Sequence, residues 1–367
     1  MPVRKLPATP NLKHLRDQAK DLMKQHAARD LAVAQRIREF HPRFTGATDD
    51  TIFAATLSIR DAELTIACEH GFRSWQRLGA YVKKTPTVPF ELPHHERIED
   101  PAFSQAVKLM DAGDAAGLAQ HLVQYPQLSR QRVLFEGGNY FRNPTLLEFI
   151  AENPVRHGRL PDHITEVAKV ILDAGVDQGS LDQTLMLVAT GRVAREYGMQ
   201  VPLIHLLCKC GAVPARAIEA ATVMNERQSV DALLERGARL TFPVAAALGR
   251  MDDVGRLFPH STKEERHLAL ALAAQFNCVE IVRLLLDSGE DPNRFNPIGG
   301  HSHSTPLHQA AAGGHEQTVR LLLERGARAD LRDVLWHGTP ADWARHAGRS
   351  ELETLLRSHE TQTTSEE

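Results

Sequence analysis

The sequence is poor in aromatic side chains and in cysteine. Phe, Trp and Tyr make up 5% of its 367 residues, whereas leucine and alanine recur throughout. This balance favours small helices packed on one another over a β-sandwich. The four cysteines, at Cys68, Cys208, Cys210 and Cys278, lack the spacing of a disulfide framework or a zinc site. We therefore expect reduced cysteines that behave as small hydrophobic side chains.

Long apolar runs and catalytic motifs are also missing. No stretch approaches the ~18 apolar residues of a membrane span, and the polar N-terminus has no apolar signal core. With reduced cysteines, this predicts a cytoplasmic protein that does not enter a membrane. There is no G-x-S-x-G, H-E-x-x-H or Walker A sequence. We therefore expect no enzyme activity and no cofactor.

Charge is unevenly distributed along the chain. The formal net charge is -3, but residues 1–84 alone carry a net charge of +6. The basic end either consists of ordinary solvated helix faces or steers the chain towards an acidic partner. Nucleic-acid binding by this end is a further alternative, although we do not expect nucleic acid to be the partner.

An apolar stripe with the i, i+3, i+4 spacing of one helix face is the organising signal. It occurs seven times, at Val167-Val170-Ile171, Leu203-Leu206-Leu207, Val230-Leu233-Leu234, Val254-Leu257-Phe258, Val282-Leu285-Leu286, Val319-Leu322-Leu323 and Leu352-Leu355-Leu356. Five of these stripes are followed by glycine, the residue that forms a left-handed helix cap without steric cost. These glycines are Gly175, Gly211, Gly237, Gly289 and Gly326.

The spacing of the stripes indicates a repeat of helix pairs. A period of about 33 residues is typical of two antiparallel helices joined to a projecting turn. Successive stripes start between 24 and 37 residues apart, and the shortest intervals fall between residues 203 and 282. We therefore expect trimmed turns in this middle part of the array.

The last part of the chain carries a recognisable motif. Thr305-Pro306-Leu307-His308 is followed by an alanine-rich segment and then by an apolar stripe that precedes Gly326. Thr339-Pro340 repeats the opening of this motif 34 residues later. These phrases resemble the ankyrin repeat, closely over 267–357 and divergently over 102–266. The resemblance implies that His308 has a structural task, which is to hydrogen-bond neighbouring backbone.

The whole chain is therefore predicted to be all-α. We expect an N-terminal helical domain at 1–84, a stiff proline-rich linker at 85–101, an ankyrin-like solenoid of about eight helix pairs at 102–359 and a disordered tail at 360–367. Helices are predicted from Leu12, Asp30, Ser58 and Ser74 in the N-terminal domain. Segments 10–22 and 71–78 resemble a helical leader found on some bacterial ankyrin proteins.

Three loops contain candidate functional residues. In the loop 296–304, His301 and His303 precede His308, and the three side chains suggest either a metal site or a polar finger between repeats. In the loop 136–144, Tyr140 and Arg142 are residues typical of binding hot spots, but the aromatic side chains there also suit sealing of an insertion.

In the third loop, Trp336 and His337 lie on the last predicted turn. Trp336 either covers the end of the stack or is an exposed anchor for a partner. We predict that the chain is a scaffold or adaptor that binds a protein partner on the concave and finger face of the array. Residues predicted to contact this partner are Tyr140, Arg142, His301, His303, Gln309, Trp336 and His337. The alternative is a metal-dependent enzyme or metal sensor that uses His301, His303 and His308.

Overall fold

The computed structural model describes residues 4, 6, 10–83, 92–135 and 140–363, with side chains up to residue 360. These residues form 21 α-helices and several short 3-10 helices. They contain no β-strand, and an isolated antiparallel bridge joins Arg132 to Thr145. The predicted all-α class is confirmed. The chain divides into two compact units, of which one combines Val3–Lys83 with Leu240–Glu367 and the other spans Lys84–Arg239.

Five helices form the N-terminal part. They are α1 (Leu12–Ala27), α2 (Leu31–Phe40), α3 (Asp49–Ala54), α4 (Ile59–Glu69) and α5 (Trp75–Lys83). Polar side chains fix where they begin: the Asn11 side chain accepts a hydrogen bond from the Lys13 amide at 2.8 Å, and Ser58 forms a capping box with Asp61. The four predicted helices are confirmed. The six residues of α3 are too few to show a stripe, and this helix was not predicted.

Eight helix pairs follow in the described part of the chain, as the sequence predicted. The unit Lys84–Arg239 contains α6 (Pro101–Asp111), α7 (Ala115–Gln124), the 3-10 helix Leu147–Ala151, α8 (Ile164–Asp173), α9 (Gln178–Ala189), the short α10 (Arg192–Glu196), α11 (Gln200–Lys209), α12 (Ala215–Val223) and α13 (Arg227–Glu235). The other unit contains α14 (Phe242–Ala247), α15 (Met251–Leu257), α16 (Lys263–Gln275), α17 (Val279–Asp287), α18 (Pro306–Gly313), α19 (Glu316–Glu324), α20 (Pro340–His346) and α21 (Ser350–Thr363).

The core of the array is made by stacking. Within the unit that contains the last four pairs, α14 contacts α16, α16 contacts α18 and α18 contacts α20. The stripe residues Val282, Leu285, Val319 and Leu322 are all 0% exposed. One helix pair cannot cover its own stripe, so each pair is stabilised by the next.

Two long connections lie late in the described array. Residues 288–305 join α17 to α18, and residues 325–339 join α19 to α20; we call them the first finger and the last finger. The connections at 210–214 and 236–241 are short. The predicted trimming of the turns between residues 203 and 282 is therefore confirmed.

The division into units differs from the predicted domain boundaries at 1–84 and 102–359. The predicted array is divided after Arg239, and the N-terminal helices belong with its last four pairs. One contact that joins them is a hydrogen bond of 2.8 Å from the Ser302 hydroxyl to the Glu39 carboxylate.

Two other predicted segments also differ from expectation. The predicted linker contains a 3-10 helix at His94–Arg97, with His94 buried, while its first residues, 85–91, lie outside the described residues. Helix α21 continues to Thr363, so it enters the predicted tail; residues 364–367 lie outside the described residues.

The predicted repeat motif begins helices. Thr305 and Thr339 are N-caps that form capping boxes with His308 and Asp342, and Pro306 and Pro340 occupy the first helical turns. Leu307 is buried beside them in α18. In the divergent region, the Thr145 amide donates to the Glu148 carboxylate at 3.1 Å, just before the 3-10 helix Leu147–Ala151.

His308 uses both ring nitrogens in this motif. Its Nδ1 accepts hydrogen bonds from the Thr305 amide at 3.2 Å and the Thr305 hydroxyl at 2.8 Å. Its Nε2–H donates to the carbonyl of Gly338 at 3.2 Å, across to the next repeat. Burial lowers the pKa of His308 to about 4, so the ring is neutral, as these bonds require. The expected structural task is confirmed.

The left-handed cap at Gly326 can be tested by comparing its substitution by alanine with the same substitution at a glycine inside a helix. Its φ is +83°, and no atom lies within 4 Å of an added Cβ. We expect Gly326→Ala to lower the free energy of unfolding by about 1–2 kcal/mol, because only the left-handed backbone opposes it. Gly255, inside α15, has equal space and an ordinary φ. Gly255→Ala should instead raise this free energy by roughly 0.5–1 kcal/mol. Urea unfolding measures both, and a loss of the same size in both variants would contradict the cap assignment.

The neutral state of the His308 ring can be tested through the pH dependence of the free energy of unfolding. Its folded-state pKa of about 4 lies below the ordinary 6.5, so its contribution is complete above about pH 6.5 and is lost as the pH falls towards 4. His308→Gln cannot titrate and cannot reproduce both sets of hydrogen bonds. We expect it to be less stable than the wild type at about pH 7.5, with the gap smaller by about 2 kcal/mol at about pH 5. Urea unfolding at the two pH values measures the gap, and an unchanged gap would contradict a neutral, bonded His308.

Candidate protein-binding finger

The last finger folds around one buried carboxylate. Asp333 is 0% exposed, and its Oδ1 accepts hydrogen bonds from the amides of Leu335 at 2.8 Å and Trp336 at 2.7 Å. Its Oδ2 accepts from the Gly338 amide at 2.8 Å and from the Trp343 indole N–H at 3.1 Å. A buried carboxylate is stable only when donors surround it. The four donors therefore fix the backbone of this turn in one conformation.

The turn presents Trp336 to solvent. The Trp336 side chain is 66% exposed, although its ring edge contacts His303 at a centroid distance of 5.2 Å and Trp343 at 5.8 Å. The Val334 amide donates to the His303 carbonyl at 2.8 Å and so joins the two fingers. Of the two alternatives for Trp336, the exposed position is the one that the structure shows.

The predicted contact residues of the first finger and of α18 do not all reach the surface. His303 is 5% exposed and Gln309 is 8% exposed, so the expectation that they form an exposed contact surface is corrected. His303 packs against both indoles, and burial lowers its pKa to about 4. The Gln309 amide donates to the Ser304 hydroxyl at 2.8 Å inside the finger. His301 is half-buried beside them.

The last predicted contact residue of this region, His337, lies at the rim of the finger. Its side chain is exposed, and its Nε2 lies 3.4 Å from the Arg4 guanidinium, which also donates to the Leu335 carbonyl at 3.3 Å. Partial burial and the positive charge of Arg4 lower the pKa of His337. The N-terminal segment therefore reaches the last finger.

The three histidines of the metal-site alternative do not converge on one point in the structure. Both nitrogens of His308 are used by backbone and hydroxyl groups, and the rings of His301 and His303 are 6.0 Å apart in an edge-on arrangement. Among the described residues, the group with suitable ligand atoms within 4.8 Å of one another is Asp111, Glu152 and His157. The geometry does not favour the metal-dependent alternative at His301, His303 and His308.

The group at Asp111 already contains a cation. The guanidinium of Arg156, whose side chain is 2% exposed, donates to both oxygens of Asp111 at 2.9 and 2.8 Å and lies 2.9 Å from Glu152. The Glu152 carboxylate also accepts from the backbone amides of Arg156 and His157. This buried ion pair holds the loop after the 3-10 helix Leu147–Ala151. Sequence reasoning missed it, because Asp111 and Arg156 are 45 residues apart.

The predicted Tyr140 and Arg142 lie in the other unit, on a segment whose backbone pairs with residues 133–135. The Phe135 amide donates to the Arg142 carbonyl at 2.8 Å. Tyr140 is 53% exposed and its hydroxyl donates to Asn153, whereas Phe141 is 3% exposed. This segment therefore combines an exposed tyrosine with a sealing phenylalanine. Residues 136–139 of the predicted loop lie outside the described residues.

Comparison with known proteins agrees with this repeat geometry. A profile of ankyrin repeats, in three copies, matches residues 221–333 and 270–365. Cyclin-dependent kinase inhibitor 2A of Monodelphis domestica is 32% identical over 126 residues, which are 33% of this chain and 70% of that protein. Cyclin-dependent kinase 4 inhibitor B of Bos taurus is 30% identical over 118 residues, which are 24% of this chain and 89% of that protein.

Other similar proteins share only a segment. E3 ubiquitin-protein ligase hecd-1 of Caenorhabditis elegans is 46% identical over 61 residues, which are 17% of this chain and 2% of that protein. The chain thus spans a small fraction of that relative's length. All three relatives come from animals and do not support the bacterial origin suggested by the resemblance. The profile, the relatives and the stacked helix pairs agree that the chain belongs to the ankyrin-repeat family.

Proposed function

We propose that the chain is a non-enzymatic scaffold or adaptor that binds a protein partner through its last finger. Ankyrin repeats imply a role in protein–protein interaction. The observation that carries the proposal is the 66% exposed side chain of Trp336 on a turn whose backbone Asp333 holds in place. Tryptophan is enriched at binding hot spots, and a rigid turn loses little conformational entropy when it binds.

The neighbouring groups support binding rather than catalysis. Asp333, His303 and His308 are buried, and Asp333 and His308 hold backbone groups. Two of the relatives are named as inhibitors of cyclin-dependent kinases. By these names, each relative acts on another protein. For this chain we propose only the shared capacity to bind a protein. The exposed Tyr140, in the other unit, is proposed as a second contact.

We also propose that the protein acts in the cytoplasm. No disulfide bond joins its four cysteines, as expected in a reducing compartment. None of the described helices combines the length and the apolar character needed to cross a bilayer.

Two substitutions distinguish the structural role of Asp333 from the exposed position of Trp336 in the last finger. Asp333→Asn leaves one acceptor oxygen and turns an NH₂ group towards backbone N–H donors, so we expect the free energy of unfolding to fall by about 2–4 kcal/mol. Trp336→Ala removes a side chain that is 66% exposed and should change this free energy by less than about 1 kcal/mol. Urea unfolding measures both, and equal losses would show that Trp336 is a structural residue.

The binding role of Trp336 is tested by photo-cross-linking in the native cytoplasm. A benzophenone amino acid at position 336 should give a protein adduct that is absent when the same group replaces Tyr197, an aromatic residue 47% exposed outside the fingers. Excess wild-type protein should abolish the adduct, and excess Trp336→Ala should not. An adduct that both competitors abolish equally, or no adduct at position 336, would contradict the proposal.

A further inference from the structure

A cleft of about 650 Å³ separates the N-terminal helices from the two fingers, inside one compact unit. Residues of α1 and α2 line one wall, while Phe295 of the first finger and Val334 of the last finger line the other. Sites of this volume are large enough to enclose a ligand or a short stretch of peptide. The exposed Trp336 precedes His337, which lines the rim of the cleft.

Arginines dominate the charge of this cleft. Its lining contains five arginines, at Arg4, Arg29, Arg36, Arg328 and Arg332, and three aspartates. Neither Arg4 nor Arg332 has a carboxylate partner among the residues that the structure describes; both guanidiniums donate instead to backbone carbonyls, of Leu335 at 3.3 Å and His337 at 2.8 Å. Each such guanidinium has further donors for an anion, because arginine carries five N–H groups.

The remaining arginines differ in how far their charge is already neutralised. Arg36 is held by Glu69 through two bonds of 2.7 and 3.0 Å, and Arg328 lies 2.6 Å from Asp330. Arg29 lies 3.6 Å from Asp50, but both side chains are largely exposed, so this pair is weak. Arg4 and Arg332 both contact His337, whereas Arg29 lies just before α2, so the cations available to a ligand lie at two places in the cleft lining.

Apolar side chains line the same cleft. Leu31, the first residue of α2, is 42% exposed. Phe295 and Leu331 also line the cleft and are half-buried. A ligand with apolar groups between its negative charges would cover Leu31 and meet the arginines at the same time. A single phosphate would meet only part of this surface and would also face Asp21, Asp30 and Asp330.

We propose that this arginine cleft binds an acidic segment of a protein partner, in which carboxylate side chains alternate with apolar ones. The inference rests on the proposed function and deepens it, because it names the chemistry of a partner that also contacts Trp336. Carboxylates form charge-assisted bonds with Arg4 and Arg332, and the apolar side chains pack against Leu31.

The test uses the full chain and a fluorescein-labelled hexapeptide of alternating glutamate and leucine, with fluorescence anisotropy as the readout. We expect saturable binding that a glutamine–leucine peptide does not show. Arg332→Gln should weaken binding by about fivefold, and the matched control Arg60→Gln, which replaces an exposed arginine of the same unit outside the cleft, should leave it unchanged.

A second variant gives the opposite change, which misfolding cannot produce. Asp21 lines the cleft and forms an ion pair of 3.2 Å with Lys24, in which both side chains are mostly exposed. Asp21→Asn should strengthen binding by roughly twofold, because it removes a negative charge that faces the peptide. Circular dichroism establishes that all variants keep the helical content of the wild type.

Three results would overturn the inference. They are no saturable binding of the glutamate peptide, equal weakening by Arg332→Gln and Arg60→Gln, and tighter binding of a phosphoserine–leucine peptide than of the glutamate peptide. The last result would assign the cleft to phosphorylated segments. If position 336 cross-links a partner while the glutamate peptide does not bind, the proposed function stands and the cleft proposal fails.

Discussion

The last finger depends on the burial of a single charge, the carboxylate of Asp333. Its two oxygens accept four hydrogen bonds, three from backbone amides of the finger itself and one from the Trp343 indole. Since an unsatisfied carboxylate is strongly disfavoured in the protein interior, other shapes of this segment are costly. The same turn places the Gly338 carbonyl where His308 of the preceding repeat donates to it. The shape of the finger and the contact between the last two repeats thus have one cause.

The irregular segments of both units follow this pattern. In the unit Lys84–Arg239, the buried guanidinium of Arg156 is held by Asp111 and Glu152 and fixes a loop that has no regular secondary structure. Stripes of apolar residues decide how the helices stack, whereas buried charges held by oppositely charged groups or by hydrogen-bond donors decide the path of the chain between them. Function in ankyrin arrays is expected at such projecting segments, because they carry exposed side chains on a rigid base.

Much of the fold followed from the sequence. The stripes and their glycines predicted helix pairs that the structure contains, and Gly326 has the left-handed backbone that a cap requires. The uneven spacing of the stripes predicted the short turns in the middle of the array. These signals are local or periodic, so a single sequence is sufficient to show them.

The candidate site was predicted only in part, because burial depends on contacts between distant residues. Trp336 was correctly assigned to a turn, but the sequence left its exposure open. His303 and Gln309 are polar and were expected at the surface, yet His303 is buried against the indoles and Gln309 is buried in α18. The contact of Ser302 with Glu39 joins residues 263 positions apart, and no sequence motif predicts it.

The central claim is that a buried carboxylate makes the last finger rigid, and amide hydrogen exchange measures this most directly. The amides of Leu335, Trp336 and Gly338 all donate to Asp333. Mass spectrometry of a peptide covering residues 333–338 should therefore show slow exchange at these amides, comparable to that of the buried helix α18. Exchange at the rate of an unstructured peptide, in protein whose α18 remains protected, would contradict the account.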